Sequence, residues 1–161
     1  MDENYLLIVW HSRTGSAKSL AKAAYEGAGD HGCLMRAQDV QPKHLMDAAG
    51  YLFCCPENLA SMSGETKEMF DRCYYAALTK IAGRPFATII AAGSDGEGAQ
   101  KQIDRICKGW RLKRVSKHMI VDTDAQTEEE ILAPKKIGEK DLILAREMGQ
   151  ALGQGIAEGI F

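Results

Sequence analysis

Three stretches of this chain are apolar from end to end: residues 5–10 (YLLIVW), 51–55 (YLFCC) and 86–92 (FATIIAA). A strand with one wet face alternates polar and apolar residues, whereas a run without that alternation is covered on both faces. Helical patterns lie between the runs. Ala17, Leu20, Ala21, Ala24 and Ala28 form one stripe, and Met69, Phe70, Cys73, Ala77 and Ile81 form another within residues 65–81. Weaker signals predict strands over 33–37 and 115–121, a short helix from Pro42 to about Ala49, and a helix over 99–107. A last helix over 139–158 carries Leu142, Ala145, Met148, Leu152 and Ile156 as its stripe, and residues 122–138 read as an acidic, irregular excursion. Doubly covered strands separated by helices imply an α/β sandwich: a five-stranded parallel sheet with right-handed crossovers placing helices on both faces.

At 161 residues, 45% of them hydrophobic and 26% charged, the chain has the profile of one soluble globular domain. A formal net charge of -2 gives no electrostatic support for a nucleic-acid partner. No apolar run approaches the roughly 20 residues of a membrane span. The acidic start, Met1-Asp2-Glu3-Asn4, does not look like a signal peptide. The five cysteines, at 33, 54, 55, 73 and 107, include no C-x-x-C pair, which argues against zinc or a disulfide framework. Adjacent Cys54 and Cys55 point to opposite faces of a strand, so packing is preferred over a redox pair. Together these features predict a cytoplasmic protein.

In an open parallel sheet, ligands bind beyond the carboxyl ends of the strands. Three predicted loops leave those ends, at residues 11–16, 56–64 and 93–98, and all are rich in small or polar residues. The first, His11-Ser12-Arg13-Thr14-Gly15-Ser16, enters a helix. Free helix N–H groups, the hydroxyls of Ser12, Thr14 and Ser16, and close backbone approach at Gly15 suit a phosphate. Simple N-capping accounts for the same residues, and both readings stand here. The Walker pattern G-x-x-x-x-G-K-[ST] is absent, as is the dinucleotide fingerprint G-x-G-x-x-G. A mononucleotide phosphate therefore suits the loop better than ATP or the pyrophosphate of NAD.

Ser12-Arg13-Thr14-Gly15-Ser16-Ala17 resembles the phosphate loop of the flavodoxin-like family, approximately [ST]-x-[TY]-G-x-[TA]. Ala17 stands where typical flavodoxins have Thr. The stretch Pro56-Glu57-Asn58-Leu59-Ala60-Ser61-Met62-Ser63-Gly64, running into Lys67 and Phe70-Asp71-Arg72, is similar to one subgroup. That subgroup comprises the NAD(P)H:quinone oxidoreductases of the tryptophan-repressor-binding-protein family and related NADPH-dependent FMN reductases. Leu59 replaces the usual aromatic residue and Ala60 the usual Gly. Ala92-Gly93-Ser94-Asp95-Gly96-Glu97-Gly98 matches the family's third loop.

The resemblance implies a flavodoxin-like fold with strand order 2-1-3-4-5, noncovalent FMN, and NAD(P)H as electron donor. It places the FMN phosphate on Ser12, Arg13, Thr14, Gly15, Ser16 and Ala17. Pro56, Glu57, Asn58, Leu59, Ala60, Ser61 and Met62 would border the isoalloxazine ring. Ala92, Gly93, Ser94, Asp95, Gly96 and Gly98 would meet its pyrimidine end with backbone amides. Asp95 reads equally as a turn residue. Hydride uptake by flavin needs no protein acid or base, so no catalytic residue is named.

The function so implied is reduction of a quinone-like small molecule, as a monomer or a homo-oligomer. The alternatives are an electron-shuttle flavodoxin docking to protein partners and a flavin-free binding domain on the same fold. Arg13 reads first as a solvated cation, with phosphate neutralisation or attraction of NADPH as its functional role. His118 reads as a partly buried histidine, Trp110 as an edge cover, and the acidic run 127–130 as solvated.

Overall fold

β1 (Leu6–Trp10) is the axis of the sheet. It pairs in parallel with β2 (Gly32–Arg36) and β3 (Gly50–Asn58), Leu6 lying opposite Gly32 and Gly50. β3 pairs in parallel with β5 (Pro85–Ala92), and β6 (Lys113–Arg114) and β7 (Met119–Asp122) lie beyond β5. A two-residue β4 (Ser61–Met62) folds back antiparallel on the end of β3. The computed structural model describes residues 4–161, so the acidic Met1–Glu3 stretch lies outside the described residues.

The sheet thus has seven strands, and its parallel body keeps the expected order with the fifth strand divided into β6 and β7. Phe86 pairs with Arg114 and Ile89 with Met119, so the outer strand takes more residues than β5 over the same distance. The extra residues form a bulge of the kind sheet edges tolerate. Arg114 lies beside it, donating to Thr88 Oγ1 (3.0 Å), Asp104 Oδ1 (3.0 Å from Nε) and the Ser116 carbonyl (3.1 Å).

α1 (Ser16–Ala28) and α6 (Glu139–Ala157) cover one face, packing on Leu6, Ile8, Leu52 and Ile89. α2 (Pro42–Asp47), α3 (Gly64–Ala77) and α4 (Glu97–Gly109) cover the other, on Leu7, Val9, Phe53 and Ile90. Cys54 and Cys55 divide between the two cores, as strand alternation requires, and all five cysteines are free thiols. The predicted stripe of α1 is buried throughout. α1 and α6 touch backbone to backbone: a Cβ on Gly149 would stand 1.9 Å from the Ala24 carbonyl oxygen.

Three expectations need correction. β3 does not stop at Cys55 but runs through Pro56 to Asn58. The Cys54 carbonyl accepts from His11 N–H, so this side of the strand faces β1. Pro56, two residues on, directs its missing N–H to the same side, where β1 has already ended. α3 stops at Ala77 rather than continuing to Ile81, because Thr79 adopts a left-handed φ of 68°; Ile81 is buried all the same. Finally, residues 122–138 are not wholly irregular: they contain α5 (Glu128–Leu132).

Candidate functional site

The loops after β1, β3 and β5 meet at the carboxyl edge of the sheet around a cavity of about 590 Å³, within the range of small-molecule and cofactor sites. Ser12, Arg13, Thr14, Ser16 and Ala17 line it from the first loop. Pro56, Glu57, Asn58, Leu59 and Ala60 line it from the second, and Ala92, Gly93 and Ser94 from the third, with Ala91 before them. Gly15 lies within the first loop, while Ser61, Met62, Asp95, Gly96 and Gly98 stand off the cavity wall.

Gly15 is the N-cap of α1 at φ 103°, a left-handed conformation that suits glycine. Its N–H donates to Ser12 Oγ (3.0 Å), which curls the loop back on itself. No side chain caps α1, so its first-turn amides, including those of the recessed Ser16 and Ala17, face the loop with the positive end of the helix dipole behind them.

α4 is the instructive contrast, for it too begins after a left-handed glycine, Gly96 at φ 91°. Here the protein supplies its own anion. The Glu57 carboxylate accepts from Gly96 N–H (2.9 Å) and Ala99 N–H (3.0 Å). Gly98 completes the joint: a Cβ there would lie 2.1 Å from the Ala60 carbonyl oxygen. Of the two glycine-capped helix ends at this edge, one is closed by Glu57 and the other is open toward the cavity. The open end, beside the hydroxyls of Ser12, Thr14 and Ser16, fits a phosphate monoester.

The second loop is a tight hairpin. Glu57 pairs with Met62 and Asn58 with Ser61, leaving Leu59 (φ 53°) and Ala60 (φ 59°) as a two-residue turn of the primed kind. Such turns favour Asn and Gly, and each non-glycine residue held there stores about 1–2 kcal/mol of strain. Leu59 is fully exposed at the cavity rim. Gln102 anchors the hairpin from α4, its Oε1 accepting from Ser61 Oγ and Met62 N–H, each at 2.9 Å. Asp95 accepts from Glu97 N–H at 3.4 Å, the turn role.

His11 ties the first loop to the start of α3. Its Nδ1 lies 2.8 Å from the Ser63 hydroxyl, and its Nε2 is 3.4 Å from the Glu65 carboxylate. Burial pushes the imidazole pKa down; Glu65 opposes this, and Arg36 and Arg13 reinforce it.

One wall was missed by sequence reasoning. Thr123, Ala125, Ile131, Leu132 and Lys135 also line the cavity. Thr127 and Glu130 form a capping box that starts α5, so the acidic run is a helix start. The backbone hydrogen bonds from Thr127 and Gln126 hold the Glu130 carboxyl below its usual pKa. Lys135 Nζ donates to the carbonyls of Glu130, Ile131 (3.0 Å) and Ala133 (2.7 Å), and Lys135 N–H donates to Thr14 (2.8 Å). The T-x-x-E spacing was the available signal.

His118 lies off the cavity, 3.8 Å from Glu97, and Trp110 is fully buried against Phe70 and Tyr74 rather than covering an edge. Among the described residues there is no cluster able to hold a metal ion, and no helix is long and apolar enough to cross a membrane.

The chain superposes on a flavodoxin from the domain Archaea with a TM-score of 0.75 at 15% identity, covering 95% of this chain and 99% of that one. A flavodoxin, WrbA-like protein from Agrobacterium tumefaciens gives 0.74 at 16%, covering 96% and 98%. The flavodiiron protein from Giardia intestinalis gives 0.74 at 18%, covering 96% of this chain and 36% of that one. At these identities the likeness is one of fold, and it establishes the flavodoxin-like sandwich. No curated protein sequence matches the chain. The family model for NADPH-dependent FMN reductases matches residues 35–126, which contain the second and third loops but not the first. With over half of its length matched on the fold that such proteins need, the chain belongs to the NADPH-dependent FMN reductase family.

Proposed function

We propose that the protein holds FMN in the cavity and uses NADPH to reduce a quinone-like small molecule. The observation that carries this reading is the contrast between α1 and α4. The carboxylate of Glu57 occupies one glycine-capped helix end and leaves the other, with its hydroxyls, for the phosphate of a ligand. The amides of Ser16 and Ala17 and the hydroxyls of Ser12, Thr14 and Ser16 would hold that phosphate. Pro56 to Ala60 and Ala92 to Ser94 would border the ring, with Ile131 and Leu132 supplying further apolar surface of the cavity. FMN, when bound, supplies acceptance of hydride from a nicotinamide and its delivery to an acceptor. The protein contributes position, a water-shielding rim and fixed donors, and none of its groups need exchange a proton for hydride uptake.

The test is direct. The purified protein should carry or take up FMN, NADPH should bleach the flavin absorbance, and a quinone should restore it with turnover. Failure to bind FMN in a titration would sink the reading. Bleaching without quinone turnover would leave the FMN site standing and remove the quinone as acceptor.

A further inference from the structure

The peptide that joins Thr14 to Gly15 is pinned at both ends. Its N–H, that of Gly15, donates to Ser12 Oγ (3.0 Å), and its carbonyl, that of Thr14, accepts from Lys135 N–H (2.8 Å). The two groups of a trans peptide point in opposite directions, so the N–H faces into the loop and the carbonyl faces out of it. The next carbonyl, of Gly15, is taken by Ser19 N–H and Ser19 Oγ, both at 3.0 Å. A phosphate needs donors around it, and this peptide turned over would present an oxygen instead. Gly15 carries no Cβ to bar that turn, so the orientation depends on the two anchors.

Lys135 is held at Thr14 by its own side chain. α5 ends at Leu132, and the carbonyls of a last helical turn have no partners within the helix. Lys135 Nζ supplies them, donating to the carbonyls of Glu130, Ile131 and Ala133. Pro134 stops the helix and has no N–H, which leaves Lys135 N–H as the first free donor beyond it. At its other end the same segment is bonded to the third loop. Thr123 N–H donates to the Ala92 carbonyl (2.8 Å) and Ala125 N–H to that of Gly93 (3.1 Å). Residues 123–135 thus form a strap from the third loop to the first. The part that carries Lys135 lies beyond residue 126, where the family match ends.

We propose that Lys135 is a positioning residue for the flavin phosphate: by locking the strap it keeps the Thr14–Gly15 peptide turned to accept an anion, and so makes the site select FMN over riboflavin. The inference rests on the FMN reading above. It gives the ammonium no contact with the phosphate, since its three N–H donors are all engaged with carbonyls. Without the ammonium, residues 130–135 lose the bonds that compact them and Lys135 N–H leaves Thr14. The freed carbonyl then competes for the space the phosphate needs. Riboflavin has the same ring and no phosphate, so its binding does not depend on how that peptide is turned.

The test is fluorescence titration of the flavin-free protein with FMN and with riboflavin, in the unaltered chain, Lys135→Met and Lys135→Arg. The unaltered protein should bind FMN at least about tenfold more tightly than riboflavin, the scale of one charge-assisted hydrogen bond. Lys135→Met keeps most of the stem and lacks the ammonium. It should weaken FMN about tenfold and shift riboflavin by less than about threefold, the riboflavin affinity showing that the variant is folded. Lys135→Arg keeps a cationic donor and should recover most of the FMN affinity. If Lys135→Met does not fold, Lys135→Gln is read in the same way. An equal loss for both flavins, an unchanged FMN affinity in the variant, or equal binding of the two flavins by the unaltered protein would each overturn the proposal. An unaltered protein that binds no FMN would sink the FMN reading and this inference with it, whereas the other three failures leave that reading standing.

Discussion

Glu57→Gln tests the closed helix end. The carboxylate makes two charge-assisted bonds, at 2.9 Å to Gly96 N–H and 3.0 Å to Ala99 N–H, at the positive end of a thirteen-residue helix. Glutamine keeps one acceptor and turns an amide donor toward the second N–H, so one bond to a charged group is lost, about 1.5–3 kcal/mol. Loss of the charge–dipole attraction adds roughly 0.3–1 kcal/mol. The expected destabilisation is about 2–4 kcal/mol, or a fall in Tm of roughly 4–16 °C for a domain of this size. Urea unfolding without FMN measures it, since bound ligand would add its own stabilisation. FMN affinity should fall as well, because the Glu57 joint holds Ala60 against Gly98 on the cavity side. A change under about 0.5 kcal/mol, as for an ordinary surface carboxylate, would refute the role assigned to Glu57.

Gly15→Ala should cost about 1–2 kcal/mol, because residue 15 is held at φ 103°, while Gly15→Asp should also weaken FMN about a hundredfold or more by facing its phosphate; fluorescence titration of the pair separates strain from charge. Gly149→Ala places a methyl 1.9 Å from the Ala24 carbonyl oxygen and should destabilise the protein by roughly 1–3 kcal/mol or more in a denaturant melt. Burial lowers the His11 pKa below its ordinary 6.5, so as pH falls the unfolded chain takes up that proton before the native protein does. Stability should therefore decline below about pH 6.5 and cease declining on this account below the native pKa; His11→Gln should flatten the urea-midpoint profile over that window, and an unchanged slope would exclude His11 as the source.

The layers of this protein were legible in its sequence because strand and helix periods are local. FATIIAA reads as a doubly covered strand and forms one, and the stripe from Ala17 to Ala28 is buried as its spacing predicts. The three loops followed from the alternation, since parallel strands place the same kind of loop at one edge. Contacts between residues far apart in the chain have no period. Glu57 read as a ring-bordering residue because nothing nearby reveals that its carboxylate caps a helix 39 residues later. Gly149 was silent inside a helical stripe until α1 came within backbone contact. Lys135 lay in an acidic excursion whose T-x-x-E start was local, but whose folding onto Thr14 was not. The sequence alone determined the sandwich and the edge at which a ligand would sit. Only the tertiary structure decided which helix end stays open there, because the anion that closes the other comes from a different loop.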